Sequence, residues 1–118
     1  MKRYGLTLIL MLLAGCAVIP QLGSKGTKML NEGIKSYDDG NYSDTVVKLQ
    51  GALGTDLTDP EKVKAHKFLA FTYCISDREK LCREEFKKAL AIDPRFELAP
   101  AEAGHPIWGP VFRSIKRN

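Results

Sequence analysis

The sequence predicts an all-α domain: two helical hairpins in series, closed by a C-terminal capping segment and preceded by an N-terminal export segment. Three observations carry that reading. From about residue 26 to residue 92, apolar side chains recur at the 3.6-residue period of helices that bury one face. The same stretch repeats itself at a lag of 37 residues, aligning Gly33 with Ala70, Ile34 with Phe71, Leu49 with Phe86, and Ala52-Leu53 with Ala89-Leu90. Asp38-Asp39-Gly40, the polar run from Gly54 to Pro60, and Asp93-Pro94 interrupt the pattern where helices should end.

Taken in order, the signals place helices near 25–38, 41–54, 60–76 and 79–92. The first ends at Asp38-Asp39-Gly40, where glycine lets the chain turn. The second carries Tyr42, Thr45, Val46, Leu49, Ala52 and Leu53 on one face. Thr58 or Asp59 caps the third, with Pro60 in its first turn and His66, Leu69, Ala70 and Tyr73 on its buried face. The fourth buries Cys82, Phe86, Ala89 and Leu90. Small residues (Gly33, Ala70, Cys82, Ala89) let the helices approach, and Tyr42, Tyr73 and Phe86 fill the space beside them. A stack of two hairpins leaves one end open and calls for a cap. Residues 97–118 supply it: a proline-broken loop, then a short helix from about Pro110 to Lys116. There Trp108, Val111, Phe112 and Ile115 either pack on the open end or, in the case of Trp108, anchor a partner.

Composition limits the chemistry. A chain of 118 residues with 44% hydrophobic and 27% charged side chains holds one small domain, too little for a doubly wound or barrel enzyme. The net charge of +4 includes Lys2 and Arg3, which fall in the segment expected to be removed. No basic cluster is interleaved with aromatics, so no nucleic-acid partner is expected. His66 reads as a core or boundary residue and His105 as part of a turn, and neither has a ligand at metal spacing. The acidic pairs Asp38-Asp39 and Glu84-Glu85 read as turns or a solvated face. No phosphate loop or nucleophile elbow occurs. The expectation is a protein that is not an enzyme and uses no metal, cofactor or small-molecule substrate.

The N-terminus sets the expected compartment. Met1 to Gly5 is a short positive segment, Leu6 to Leu13 an apolar run of eight residues, and Leu13-Ala14-Gly15-Cys16 follows. Eight residues are too few to cross about 30 Å of hydrocarbon, so the pattern reads as a signal peptide. Its last four residues resemble the lipobox of bacterial lipoproteins. That resemblance implies cleavage after residue 15, a diacylglyceryl group on the Cys16 thiol and acylation of the new amine. Ala17 in place of an aspartate implies the outer membrane, facing the periplasm. Residues 16–25, rich in Gly, Pro and Ser, read as a tether to the domain.

With Cys16 acylated, Cys74 and Cys82 remain as an even pair in an oxidising compartment. They are placed similarly about a turn near Asp77-Arg78 and are read either as a disulfide or as two reduced core thiols.

The order Leu69-Ala70-x2-Tyr73-x8-Cys82-x3-Phe86-x2-Ala89-Leu90-x3-Pro94 resembles the tetratricopeptide repeat. The likeness spans residues 26–96 and is weaker in the first unit, where Thr45 takes a small-residue position. It implies a concave groove lined by Leu30, Ile34, Tyr37, Lys64, Lys67 and Phe71. Apolar and lysine side chains together suit a peptide with an acidic or C-terminal carboxylate group. The other reading is that two repeats make too short a groove, or that the C-terminal segment fills it. Ala65 to Cys74, Cys82 to Phe86, Asp93-Pro94 and Gly104 to Phe112 are similar to the small TssQ-type lipoproteins associated with type VI secretion. That likeness implies a lipid-anchored adaptor or scaffold that binds protein partners in the envelope and serves assembly or docking of the secretion machine. Two other readings are an assembly factor for another outer-membrane machine, such as a pilus secretin or the barrel-assembly apparatus, and an accessory lipoprotein that binds peptidoglycan or its hydrolases.

Cys16→Ser should leave an unprocessed precursor that takes up no radiolabelled palmitate. Normal labelling of that variant would rule out Cys16 as the acylated residue.

Overall fold

The computed structural model describes residues 24–117; the signal segment, Cys16 and the tether up to residue 23 lie outside the described residues. Those described form an all-α domain of six helices: α1 (Lys25–Asp38), α2 (Tyr42–Leu53), α3 (Asp59–Ile75), α4 (Glu79–Ile92), α5 (Pro100–Ala103) and α6 (Trp108–Lys116). α1 pairs with α2 and α3 with α4, each across a tight turn and therefore antiparallel. The two hairpins meet chiefly through α2 and α3, and α6 packs on α4 and α3.

Local chemistry accounts for the boundaries. Ser24 Oγ accepts the Thr27 backbone N–H at 3.1 Å and opens α1. Gly40 adopts φ 79°, a left-handed turn that favours glycine, and its N–H donates to the Tyr37 carbonyl. The Asn41 side chain accepts from Asp44 N–H at the start of α2. Thr58 and Glu61 form a reciprocal capping box on α3, and Pro60 lies in its first turn. The α3–α4 turn runs through Asp77 at φ 61°, a conformation that aspartate tolerates better than most side chains.

The core runs from the first hairpin to the C-terminal segment. Leu30, Leu49 and Ala52 enter it from α1 and α2; Leu69, Ala70 and Phe71 from α3; Cys82 and Phe86 from α4; and Trp108, Val111 and Phe112 from α6. Gly33 sets the α1–α2 approach, since a Cβ there would lie 2.6 Å from Leu49 Cδ2. Thr45 takes its small-residue position without leaving an unpaired hydroxyl, because Oγ1 donates to the Asn41 carbonyl at 2.9 Å. The linker before α3 is not merely a spacer, as Leu57 turns into the core beside Gly26.

The C-terminal segment departs from expectation in two ways. Its helix begins at Trp108 rather than Pro110. Pro110 is then the third helical residue, where the missing N–H has no intrahelical partner to lose. A four-residue turn of helix, α5, also forms before it. Pro100 sets its first residue, and the Glu102 carboxylate accepts the Ala99 N–H at 3.0 Å.

Candidate functional site

The residues expected to line a concave groove come from α1 and α3, and the structure separates them. Leu30 and Phe71 are core residues, each 2% exposed, and offer no surface to a partner. Ile34 and Tyr37 are half-buried against that core. Burial pushes the Tyr37 hydroxyl up to about 12, so it stays neutral. Lys64 points to solvent, while Lys67 is committed to an ion pair with Glu102 at 2.8 Å. Only Ile34, Tyr37 and Lys64 of the six are left for an occupant: the chain's own C-terminal segment takes Phe71 and Lys67, and Leu30 is buried in the helix packing.

That covering is built on aromatic contacts. The Trp108 indole stacks on the Phe71 ring at 4.0 Å between centroids, with 16° between planes. The His105 ring is stacked on the same indole at 3.5 Å and 7°. Two near-parallel rings this close must occupy opposite faces, so the indole is sandwiched. Its Nε1–H donates to the Glu102 carbonyl at 2.9 Å, which removes the cost of burying that donor. Phe112 meets Phe86 and Phe96 edge to face at 5.1 and 5.6 Å. Of the two readings for Trp108, its 7% exposure favours packing.

The polar interior holds a residue misjudged from sequence. Glu84 is on the solvated face as expected, but its neighbour Glu85 is buried. One hundred degrees of helical rotation separate adjacent side chains, so a paired acid need not share one environment. Glu85 Oε1 lies 3.1 Å from His66 Nδ1, and Oε2 2.9 Å from Lys88 Nζ. Burial alone would raise the Glu85 carboxyl; hydrogen bonds from His66 and Lys88, with their charges, outweigh it and hold the group below its ordinary value. His66 is thus a boundary residue tying α3 to α4. The signal for this pair was their spacing across the hairpin, which becomes visible only once the helices are in register.

Cys74 and Cys82 are bridged, with Cα atoms 5.1 Å apart, and both are buried. The bridge joins the end of α3 to the start of α4. A loop this short loses about 2–3 kcal/mol of unfolded-state entropy in the chain-entropy account of disulfide stabilisation. Glu102 and His105, both central to seating the cap, were not singled out as cap residues from sequence; the Pro100-x-Glu102 capping pattern was the signal available for the former. Among the described residues no cluster of His, Cys, Asp or Glu is arranged to hold a metal, and no helix is long and apolar enough to cross a membrane. Comparison with protein-family models, curated proteins and solved structures finds no match to this chain.

Trp108→Ala should cost about 3–5 kcal/mol by cavity formation in the core. Against about 5–10 kcal/mol for a domain of this size, that loss should lower the thermal midpoint steeply. A midpoint within error of the parent protein would place the indole in water. Glu85 yields a pH prediction of definite sign. Its folded carboxyl sits below the ordinary 4.5, so unfolding takes up a proton in that range. The stabilisation is complete above that value and fades as pH falls through the folded value. Thermal melts across the acid range should show Glu85→Gln less stable than the parent near neutrality, with the gap closing as pH falls below 4.5. A gap of constant size would show that the charge contributes nothing.

Proposed function

We propose that this chain is a lipid-anchored adaptor on the periplasmic side of the outer membrane, serving assembly or docking of a type VI secretion machine. In this reading α1–α2 and α3–α4 are two tetratricopeptide-like units and residues 97–118 are their cap. The close approach at Gly33 and the buried Ala70, Cys82 and Ala89, all at repeat positions, support the first part. The lipobox-like Leu13-Ala-Gly-Cys16 supports the anchor.

One observation carries the narrower reading. Of the four stretches similar to TssQ-type lipoproteins, Asp93-Pro94 ends α4, and the other three, Ala65 to Cys74, Cys82 to Phe86 and Gly104 to Phe112, are distant in sequence yet converge in one packing unit. Trp108, Phe71, Phe86 and Phe112 follow one another there in a chain of ring contacts, and Cys74 and Cys82 are joined. A likeness concentrated on residues that touch fits a shared way of closing a two-hairpin stack better than three chance matches. The adaptor role follows from what the fold leaves outward: Lys64, Tyr37 and Ile34 remain on the inner side for a protein partner.

A photo-crosslinking residue at Lys64, which is exposed and outside the core, tests the reading in living cells. It should capture an envelope component of the contractile machine, and removal of the protein should impair secretion through it. Capture of a pilus-secretin or barrel-assembly component, or of cell wall, with secretion intact, would replace the proposal by the corresponding alternative.

A further inference from the structure

The cap carries a cleft on its outer side that the packing of the domain does not use. It is about 300 Å³ in volume, floored by Leu98, Ala103 and Phe112 and rimmed by Arg113, Lys116 and Arg117, with Glu97 at one edge. The rim cations differ in what they have free. Lys116 Nζ donates to the Pro94 carbonyl at 3.0 Å and the Phe96 carbonyl at 2.9 Å, and pairs with Glu97 at 3.3 Å. An ammonium has three donors, so Lys116 is used up in fastening the end of α6 to the turn after α4. Arg113 spends Nη1 on the Ala103 carbonyl at 2.9 Å and keeps its remaining donors. Neither Arg113 nor Arg117 has a carboxylate partner among the described residues.

Arg117 follows α6 in helical conformation and donates its N–H to the Arg113 carbonyl at 3.2 Å, so the two stand one turn apart on the same side. Guanidinium groups bind carboxylates in a bidentate fork, which an ammonium does not. The end of α6 adds a partial negative charge of about half a unit, and two full positive charges outweigh it. We propose that this cleft is a docking site for the C-terminus of a partner protein, with an apolar last side chain on Phe112 and Leu98 and the terminal carboxylate held by Arg113 and Arg117. Charge complementarity selects an anion and the floor selects an apolar group beside it. The size selects a peptide end over a lipid: a cleft of this volume takes one large side chain, whereas an acyl chain extends about 15 Å, half of the hydrocarbon core. The site lies on the cap, apart from the inner face, and its test does not depend on the secretion reading.

The probe is a fluorescein-labelled hexapeptide ending in leucine-phenylalanine with a free carboxylate, titrated by anisotropy with the full chain in detergent micelles. Binding should weaken roughly tenfold or more when the peptide is amidated, and by a similar factor in Arg113→Gln/Arg117→Gln. Ala103→Leu, which fills the floor without removing a core contact, should abolish binding while the thermal midpoint stays near that of the parent. For the arginine variant, an unchanged midpoint with binding lost likewise separates recognition from folding. Equal affinity for acid and amide, no detectable binding of the acid peptide, unchanged binding by either variant, or binding of short-chain phosphatidylglycerol in place of the peptide would overturn the proposal.

Discussion

Much of this structure depends on one stacked contact, the Trp108 indole held between Phe71 and His105. Helix pairs that stack in series bury each hairpin against the next, and the last has nothing to lie on. Here α3 and α4 present Phe71 and Phe86 toward that open end. The C-terminal segment covers them with two aromatic side chains spaced one helical turn apart, Trp108 and Phe112. Seating the indole also sets its surroundings. Glu102 must lie where its carbonyl takes the indole proton, which brings its carboxylate to Lys67, and α5 forms around that placement.

Around this apolar seat, polar ties give direction rather than bulk stability. Lys67–Glu102 joins α3 to α5, Arg83 Nη1 donates to Ser114 Oγ at 2.9 Å between α4 and α6, and Lys116 closes on the carbonyls of Pro94 and Phe96. Partly buried pairs of this kind gain little net energy over apolar contacts, but each is satisfied in one arrangement only. The Cys74–Cys82 bridge and the His66–Glu85–Lys88 group act similarly within the α3–α4 hairpin. The second hairpin is thus fixed covalently, by charge and by ring packing. The first has no covalent tie among the described residues and combines close helix approach at Gly33 and the core side chains Leu30 and Leu49 with a Tyr37–Tyr42 ring contact and the Glu32–Lys48 pair.

The covering of the inner face changes which residues the proposed adaptor could offer to a partner. A tetratricopeptide-like arrangement draws attention to the first helix of each pair, yet Phe71 is buried and Lys67 is paired. Surface available for recognition divides between the remaining inner residues, Ile34, Tyr37 and Lys64, and the cap, whose outer cleft combines an apolar floor with guanidinium groups. Cap and core are one construction, so a change that loosens Trp108 would also displace Ala103 and Phe112 from that cleft.

The sequence by itself determined the all-α class, the four long helices to within about two residues, their turns and the helix that follows the prolines. Those features are local: period, caps, glycine and proline act within a few residues of where they stand. It also made a Cys74–Cys82 bridge and a packed Trp108 readable as alternatives, since both follow from placement about a hairpin and at an open end. Only the tertiary structure decided that Glu85 is buried while Glu84 is not, that Leu57 leaves its linker for the core, that Glu102 and His105 seat the indole, and that Leu30 and Phe71 are core rather than groove. In each case the residue's environment is made by a segment distant in the chain, and no local pattern encodes which of two apolar or charged faces that segment will cover.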